Sequence, residues 1–203
     1  MTAWYAGRIV SRGEGPASVL NIANIITAIR ILLVPVFVIV FVADHHQLGA
    51  TRWVAALLFA VIIATDALDG HLARSRNLVS NVGIILDPIA DKALTGAALI
   101  VLSAIGDLPW WVTIIILVRE IGITVFRFAV LSTSVIPASR GGKLKTLAQS
   151  VSITLAIAPF PTLLGDWFVW VNIITMSITF VLTVVTGIDY LWQAWRKNRA
   201  VGV

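Results

Sequence analysis

The chain has 203 residues, of which 59% are hydrophobic and 12% charged, and its mean hydropathy is +0.95. A composition this apolar excludes an ordinary soluble domain and indicates a membrane protein. The sequence contains no cysteine, which excludes disulfides and thiolate metal sites, so any bound metal needs oxygen or imidazole ligands. The formal charge is +5, but basic residues in so apolar a chain belong beside the membrane surface, and we expect no nucleic-acid partner.

Six apolar segments, bounded by charged residues or by proline and glycine, predict an all-α polytopic membrane protein with six transmembrane helices. In chain order they are 22–42, 53–73, 83–105, 110–131, 147–164 and 167–192. We therefore expect a cytoplasmic or interfacial segment at 1–20, a six-helix domain at 21–195 and a basic cytoplasmic tail at 196–203.

The basic residues fix an expected orientation for these segments. If both termini are cytoplasmic, the cytoplasmic side carries Arg8, Arg12, Arg74, Arg76, Arg140, Lys143, Lys145, Arg196, Lys197 and Arg199. The other side keeps Arg52. This asymmetry follows the positive-inside rule and predicts a multi-pass protein of the cell membrane.

Four aspartates interrupt the second and third segments at their adjoining ends. Asp66 and Asp69 are i,i+3 neighbours and Asp87 and Asp91 are i,i+4 neighbours, so each pair shares a helix face. The short connection predicts that the two helices pack as antiparallel neighbours, with both pairs at the cytoplasmic end. Each aspartate costs roughly 2.5 to 3.5 kcal/mol at a bilayer centre, and two divalent cations, Mg²⁺ or Mn²⁺, would offset that cost. The alternative is that the acids are hydrated or paired with neighbouring basic residues.

The residues around these aspartates resemble the signature of the CDP-alcohol phosphatidyltransferase family. Its fixed positions are matched by Asp66, Asp69, Gly70, Ala73, Arg74, Gly83, Asp87 and Asp91. The resemblance implies transfer of a phosphatidyl group from CDP-diacylglycerol to a small alcohol, with release of CMP and an active site at the cytoplasmic side.

The same resemblance implies roles for individual residues. Asp66, Asp69 and Asp87 would hold the two metals, while Asp91 would complete the metal site and act as catalytic base. The CDP-diacylglycerol site would include Asp69, Gly70, Ala73 and Arg74. These residue types suit the roles, because small residues let a nucleotide approach the backbone and arginine binds phosphate in a bidentate manner. No residue stands out as a covalent nucleophile, so we expect a direct displacement.

Basic residues elsewhere in the predicted helices suggest where the acceptor alcohol binds. Arg30 lies two to three turns into the first segment, where it either contacts substrate or pairs with a metal-site aspartate. Arg119 and Arg127 fall in the fourth segment, and Lys143 and Lys145 precede the fifth. A phosphate group on the acceptor would explain this set; the alternative is ordinary flanking of membrane helices by basic residues.

Three stretches resemble one branch of the family, the phosphatidylglycerophosphate synthases. They are 21–35, Arg119-Glu120 with Arg127, and 142–146 with Gln149. One departure is Ala23, where that branch usually has proline. This resemblance implies glycerol 3-phosphate as the acceptor and a homodimer.

Three alternatives remain at this point. A synthase that uses inositol 1-phosphate would share the signature and the need for basic residues. A cardiolipin synthase of the same family would use a phospholipid as acceptor. A divalent-cation transporter, from another class, could also bury acids between helices, but it would need no nucleotide pocket.

Overall fold

The computed structural model describes residues 22–45, 47–75, 81–130 and 140–201; at 22–23, 67–75, 81–85, 127–130, 140–141, 143, 194 and 197–201 it describes the backbone alone. The described residues form seven helices and no strand. The helices are α1 (Ile22–Val42), α2 (Ala50–Ser75), α3 (Asn81–Ala104), α4 (Trp110–Val130), α5 (Arg140–Ile157), α6 (Phe160–Leu164) and α7 (Trp167–Val201). The predicted all-α class is therefore confirmed for the described part of the chain.

The third helix lies at the centre of the bundle, because α3 packs against α1, α4 and α5. α1 also packs against α2, and α7 packs against α4 and α5. Leu94, Leu99 and Leu102 of α3 are fully buried in the core. Phe37 of α1 packs on Phe59 of α2, with ring centroids 5.6 Å apart. Polar side chains in the first turns of α3 can consequently reach neighbouring helices on several sides.

The helices follow the predicted apolar segments with two differences. The segment predicted at 147–164 is instead the latter part of α5, followed by a break and the short helix α6. Pro159 lies at this break and precedes Phe160, and proline has no N–H to continue the helical hydrogen bonding. The last helix is longer than expected: α7 continues to Val201, through most of the predicted tail at 196–203.

Two of the described helices are long and apolar enough to cross a membrane by length and composition, Asn24–Val42 and Trp167–Gln193. Large apolar side chains are exposed along the outer faces of α4 and α7 as well, among them Val118, Val125, Ile178 and Val185. Apolar outer faces of this kind suit contact with lipid. The count of six spans stays a prediction.

Arg52 closes the end of the bundle that was predicted to lie away from the cytoplasm. Its buried guanidinium donates from Nε to the carbonyl of Ile157 at 2.8 Å and from Nη2 to the carbonyl of Ala156 at 3.2 Å. It also forms an ion pair with Asp107 and lies 5.3 Å from the centroid of the Phe41 ring. One side chain thus joins α1, α2, α5 and the turn after α3.

Gly106 makes the turn that places Asp107 beside Arg52. Its φ of +84° lies in the region that residues with a side chain rarely adopt. The turn is closed by two backbone bonds, from Gly106 N–H to the carbonyl of Ser103 at 3.1 Å and from Asp107 N–H to that of Leu102 at 2.9 Å. The ion pair at this end therefore depends on a glycine that ends α3.

Candidate active site

The first helix binds one aspartate on each of two other helices. Arg30 Nη1 lies 2.5 Å from Asp66 Oδ1 on α2, and Thr27 Oγ1 donates to Asp87 Oδ1 on α3 at 2.7 Å. Thr27 and Arg30 are both buried and are i,i+3 neighbours on α1. The two carboxylates are therefore held against the same turn of α1. The sequence left two partners open for Arg30, a substrate or an aspartate of the metal site. In the structure Arg30 pairs with the aspartate.

The arrangement differs from the direct packing expected between the two acidic helices. Within the described residues α2 and α3 make few contacts with each other, and both pack against α1. A short connection between two helices does not oblige them to touch when a third helix offers each of them a better-fitting face. Asp66 and Asp87 are thus held near each other by α1, and the convergence of all four aspartates stays a prediction.

The described carboxylates have the chemistry that a divalent cation requires. Asp66 is 43% exposed and Asp87 is exposed, so the described part of the protein encloses neither carboxylate. Carboxylate oxygens are the preferred ligands of Mg²⁺ and Mn²⁺. Within the described side chains no three acids or histidines come close enough to form a complete metal site. The side chain of Asp69, the remaining predicted ligand, lies outside the described part, so the donor set fits a hard cation but is incomplete here.

Asp91 lies one helical turn after Asp87 and faces a different set of partners. Lys92 Nζ donates to Asp91 Oδ2 at 2.9 Å and lies 2.8 Å from Glu120 Oε2 on α4. A narrow cleft between α3 and α5 is lined by Asp91, Lys92, Lys145 and Gln149. The predicted catalytic base is thus connected through Lys92 to Glu120 on α4.

Glu120 is the centre of a buried charge cluster. Its side chain is 5% exposed, and Lys92 of α3, Lys145 of α5 and its neighbour Arg119 all form ion pairs with it. Arg119 Nη1 donates to Glu120 Oε1 at 2.9 Å, and Lys145 donates to the same oxygen. Three cations from three helices therefore share one carboxylate, with Asp91 as the next acid along the network.

Arg119 also contacts the last helix. Its Nη2 donates to Thr186 Oγ1 at 2.8 Å, and its side chain lies across Gly187. Its Nε is buried and has no hydrogen-bond partner in the described structure, as is also true of Arg30 Nε. An unpaired buried donor is unfavourable, and it commonly indicates a ligand or water.

Several predicted site residues fall where the structure describes the backbone alone. Asp69, Gly70, Ala73 and Arg74 lie in the last turns of α2, Arg127 lies near the end of α4, and Lys143 lies in the first turn of α5. Their predicted roles in binding metal, CDP-diacylglycerol and acceptor phosphate stay predictions. Asp66, Asp87 and Asp91, with Arg30, Arg119 and Lys145, lie around the same end of α3 through the contacts described above.

Sequence inspection did not assign four residues of this network: Lys92, Glu120, Thr186 and Gly187. Glu120 stood out as an acid in an apolar segment, but its role as the shared partner of three cations depends on which helices adjoin. Thr186 and Gly187 are common residue types in membrane helices. A usable signal was the spacing of Thr179, Thr183 and Gly187, which places small or hydroxylic residues on one face of a long apolar helix.

Known proteins resemble this chain over most of its length. The sequence matches the family model described as CDP-alcohol phosphatidyltransferase over residues 20–185. The chain belongs to this family. The matched region contains every described helix except α7 in full, and α7 as far as residue 185.

Similar proteins of this family cover nearly the whole chain. A protein of Mycobacterium tuberculosis named "Probable phosphatidylglycerophosphate synthase" is 48% identical over 184 residues, which is 90% of this chain and 85% of that protein. Proteins named "CDP-diacylglycerol--glycerol-3-phosphate 3-phosphatidyltransferase" are 34% identical in Bacillus subtilis, over 86% of this chain and 95% of theirs, and 33% identical in Rickettsia typhi, over 84% and 94%. As a CDP-alcohol phosphatidyltransferase, the chain is an enzyme of phospholipid synthesis, and the residues around α3 are its candidate active site.

Proposed function

We propose that the enzyme transfers the phosphatidyl group of CDP-diacylglycerol to glycerol 3-phosphate, which gives phosphatidylglycerophosphate and CMP. The observation that carries the choice of acceptor is the cluster in which Lys92, Arg119 and Lys145 surround Glu120 next to Asp91. The names of the Mycobacterium and Bacillus relatives support the same reaction.

Charge balance in this cluster favours an anionic acceptor. Three cations face two carboxylates, Asp91 and Glu120, and the latter is almost fully buried. Buried cations need anions or strong acceptors nearby. A phosphate monoester would supply two negative charges and several oxygens, and could accept the unpaired Nε–H of Arg119. Arg127 and Lys143, which the sequence assigns to the acceptor phosphate, would add two cations to this site.

The role proposed for the metal ions rests on the family resemblance and on the donor set. Asp66, Asp69, Asp87 and Asp91 would hold two divalent cations, Mg²⁺ or Mn²⁺, which when bound would neutralise charge on the diphosphate of the donor. Arg30 and Thr27 hold Asp66 and Asp87 against α1, so these two ligands are oriented before an ion arrives. Arg74, with Gly70 and Ala73, would bind the CDP part of the donor.

The chemical step proposed is a single displacement at phosphorus. The acceptor hydroxyl oxygen forms a bond to the phosphatidyl phosphorus, and the bond from that phosphorus to CMP breaks, so that CMP leaves with the electron pair. Asp91 takes the hydroxyl proton as general base. The contacts of Lys92 with both Asp91 and Glu120 support this role for Asp91.

We further propose that α1 to α5 and α7 provide six spans in the cell membrane, with both termini and the active site on the cytoplasmic side. The basic residues at that side and the exposed apolar faces of α4 and α7 support this topology. The region 21–195 would form the catalytic domain, flanked by the segment at 1–20 and the end of α7. The homodimer implied by the resemblance is part of the same proposal.

The test is CMP release by the full chain, purified in detergent, with CDP-diacylglycerol and Mg²⁺. Glycerol 3-phosphate, inositol 1-phosphate and phosphatidylglycerol are offered in parallel, each with and without EDTA. We expect release with glycerol 3-phosphate and its loss in EDTA, with Asp91→Asn as the inactive control.

The outcomes distinguish the candidates. Release with inositol 1-phosphate alone would keep the mechanism and change the acceptor, and release with phosphatidylglycerol alone would indicate a cardiolipin synthase. Failure with all three would refute the proposed acceptor and indicate a different alcohol.

A further inference from the structure

We infer that α7 is part of the acceptor site and sets the position of Arg119 through Thr186 and Gly187. The inference rests on the proposed binding of acceptor phosphate by Arg119. It assigns positioning roles to two residues that neither carry charge nor belong to the aspartate signature.

The hydroxyl of Thr186 is oriented to accept from Arg119. Thr186 Oγ1 lies 2.6 Å from the carbonyl of Leu182, to which it donates its proton within α7. Its oxygen is then available to accept from Arg119 Nη2 at 2.8 Å. A hydroxyl bound to the preceding turn has little rotational freedom, so the acceptor oxygen faces α4 at a fixed point.

Gly187 provides the surface on which the arginine lies. A Cβ atom at this position would be 3.1 Å from both Cγ and Nε of Arg119, closer than ordinary van der Waals contact. Gly187 is buried where α7 meets Arg119, so the arginine has to move if a side chain is added there. This glycine is needed for a close approach of two helices, and its backbone is helical.

Together these contacts determine where Arg119 points. Glu120 binds Nη1, Thr186 binds Nη2 and Gly187 lies beside the Nε end of the side chain. Nε, the donor without a partner among the described residues, is the atom that lies against Gly187. A displacement of Nε by a methyl group on α7 would therefore act directly on the donor that we assign to the acceptor phosphate.

The experiment compares four variants of the full chain in detergent by steady-state CMP release. Gly187→Ala pushes on Arg119, Thr186→Val removes the hydroxyl and Thr186→Ser keeps it. Gly122→Ala on α4 is the matched control, because a Cβ there meets nothing within 4 Å among the described residues. KM for glycerol 3-phosphate, KM for CDP-diacylglycerol, kcat and Tm are measured for each.

We expect Gly187→Ala and Thr186→Val each to raise KM for glycerol 3-phosphate by about tenfold, the effect of one lost bond to a charged group. KM for CDP-diacylglycerol should stay unchanged, and Thr186→Ser and Gly122→Ala should resemble wild type. In an Arg119→Ala background, Gly187→Ala should have no further effect on the acceptor KM.

Two results would overturn the inference. One is a Gly187→Ala effect that persists in the Arg119→Ala background or falls equally on both substrates, since the role would then be general packing. The other is that Arg119→Ala raises the acceptor KM while Gly187→Ala and Thr186→Val leave it unchanged. Arg119 would then still bind the acceptor, but α7 would not position it. An unchanged acceptor KM in Arg119→Ala itself would instead refute the proposed acceptor role of Arg119.

Discussion

The two ends of the helix bundle hold buried charge in different ways. At one end Arg52 is buried, and it has Asp107, two carbonyls of α5 and an aromatic ring as partners, all from the protein. At the other end three cations share Glu120, and Nε atoms of Arg30 and Arg119 have no hydrogen-bond partner within the described residues. Both ends join several helices. We call the Arg52 end saturated, because the protein supplies the hydrogen-bond partners of its buried charge, and the Glu120 end unsaturated, because buried donors there lack a partner among the described residues.

We interpret this difference as one between charged residues that stabilise the fold and charged residues that bind a ligand. A buried ion whose donors are all satisfied by the protein can stabilise the fold, and removing it leaves its partners unpaired. A buried cluster with surplus cations and unpaired donors is unfavourable until a ligand completes it. We therefore expect changes near Arg52 to alter stability and changes near Glu120 to alter kinetics.

The largest effect is expected from Asp91→Asn. If Asp91 is the general base, kcat should fall by about 10² to 10⁴-fold, the usual contribution of such a group. KM for CDP-diacylglycerol should change little, because the base acts on the acceptor. Single-turnover CMP release and a CDP-diacylglycerol-dependent rise in Tm measure the two quantities separately.

Asp66→Ala is the matched comparison for that variant. As a proposed metal ligand paired with Arg30, Asp66 should be needed for donor binding, and the rise in Tm with CDP-diacylglycerol and Mg²⁺ should disappear.

One outcome would contradict the role of Asp91. If the kcat of Asp91→Asn were within about tenfold of wild type, the loss would be too small for a general base. The proton acceptor would then have to be sought elsewhere in the cluster.

Arg52→Met should lower stability without changing the kinetics of the folded enzyme. The substitution keeps an apolar stem of similar length and removes bonds to Asp107 and to two carbonyls. We expect a loss of about 1.5 to 3 kcal/mol, the range for hydrogen bonds to charged groups, seen as a lower Tm in detergent. Asp107 is partly exposed, so water can replace part of what it loses. A rise in either KM would show that this end is coupled to the active site and would contradict the division between the two ends.

Arg119→Ala should have the opposite pattern. Its removal takes one cation and the unpaired Nε donor from the proposed acceptor site, and KM for glycerol 3-phosphate should rise by about tenfold or more. Tm should fall little, because Lys92 and Lys145 remain on Glu120. A fall in Tm as large as that of Arg52→Met, with an unchanged acceptor KM, would assign Arg119 to the structural class.

The sequence predicts the helices well and the helix neighbours less well. Apolar runs are local features, and α1 to α4 follow them closely, while α7 begins where its segment was predicted to begin and extends further. The break at Pro159 was not predicted, although proline is a local signal. The role of α1 as the link between Asp66 and Asp87 depends on which helix fills the space between α2 and α3. No local pattern encodes that choice, so direct packing of α2 on α3 was expected instead.

The charged residues of the candidate site show the same limit: the sequence predicts their importance but not their partners. The spacing of the aspartates and the cations in the fourth and fifth segments could be seen as functional from the sequence, because ions are rare within membrane helices. Their pairing could not, since Glu120 has basic residues within reach on three helices. Thr186 and Gly187 carry no charge, and their importance follows from the position of one arginine across a helix interface.

The smallest effect is expected at the loop between α1 and α2, where Asp44 accepts from Leu48 N–H at 3.0 Å and from Gly49 N–H at 3.1 Å. His45 and Leu48 in this loop have φ of 47° and 51°, a region unfavourable for residues with a side chain, so the two bonds hold a strained turn just before Arg52. Asp44→Ala should lower stability by about 1 kcal/mol, and Asp44→Asn, which keeps one acceptor oxygen, by less. Both KM values should stay at wild type in each variant, as Tm and CMP release would show. If Asp44→Ala raised the acceptor KM while leaving Tm unchanged, the loop would communicate with the far end of the bundle, and the division between a saturated structural end and an unsaturated functional end would be wrong.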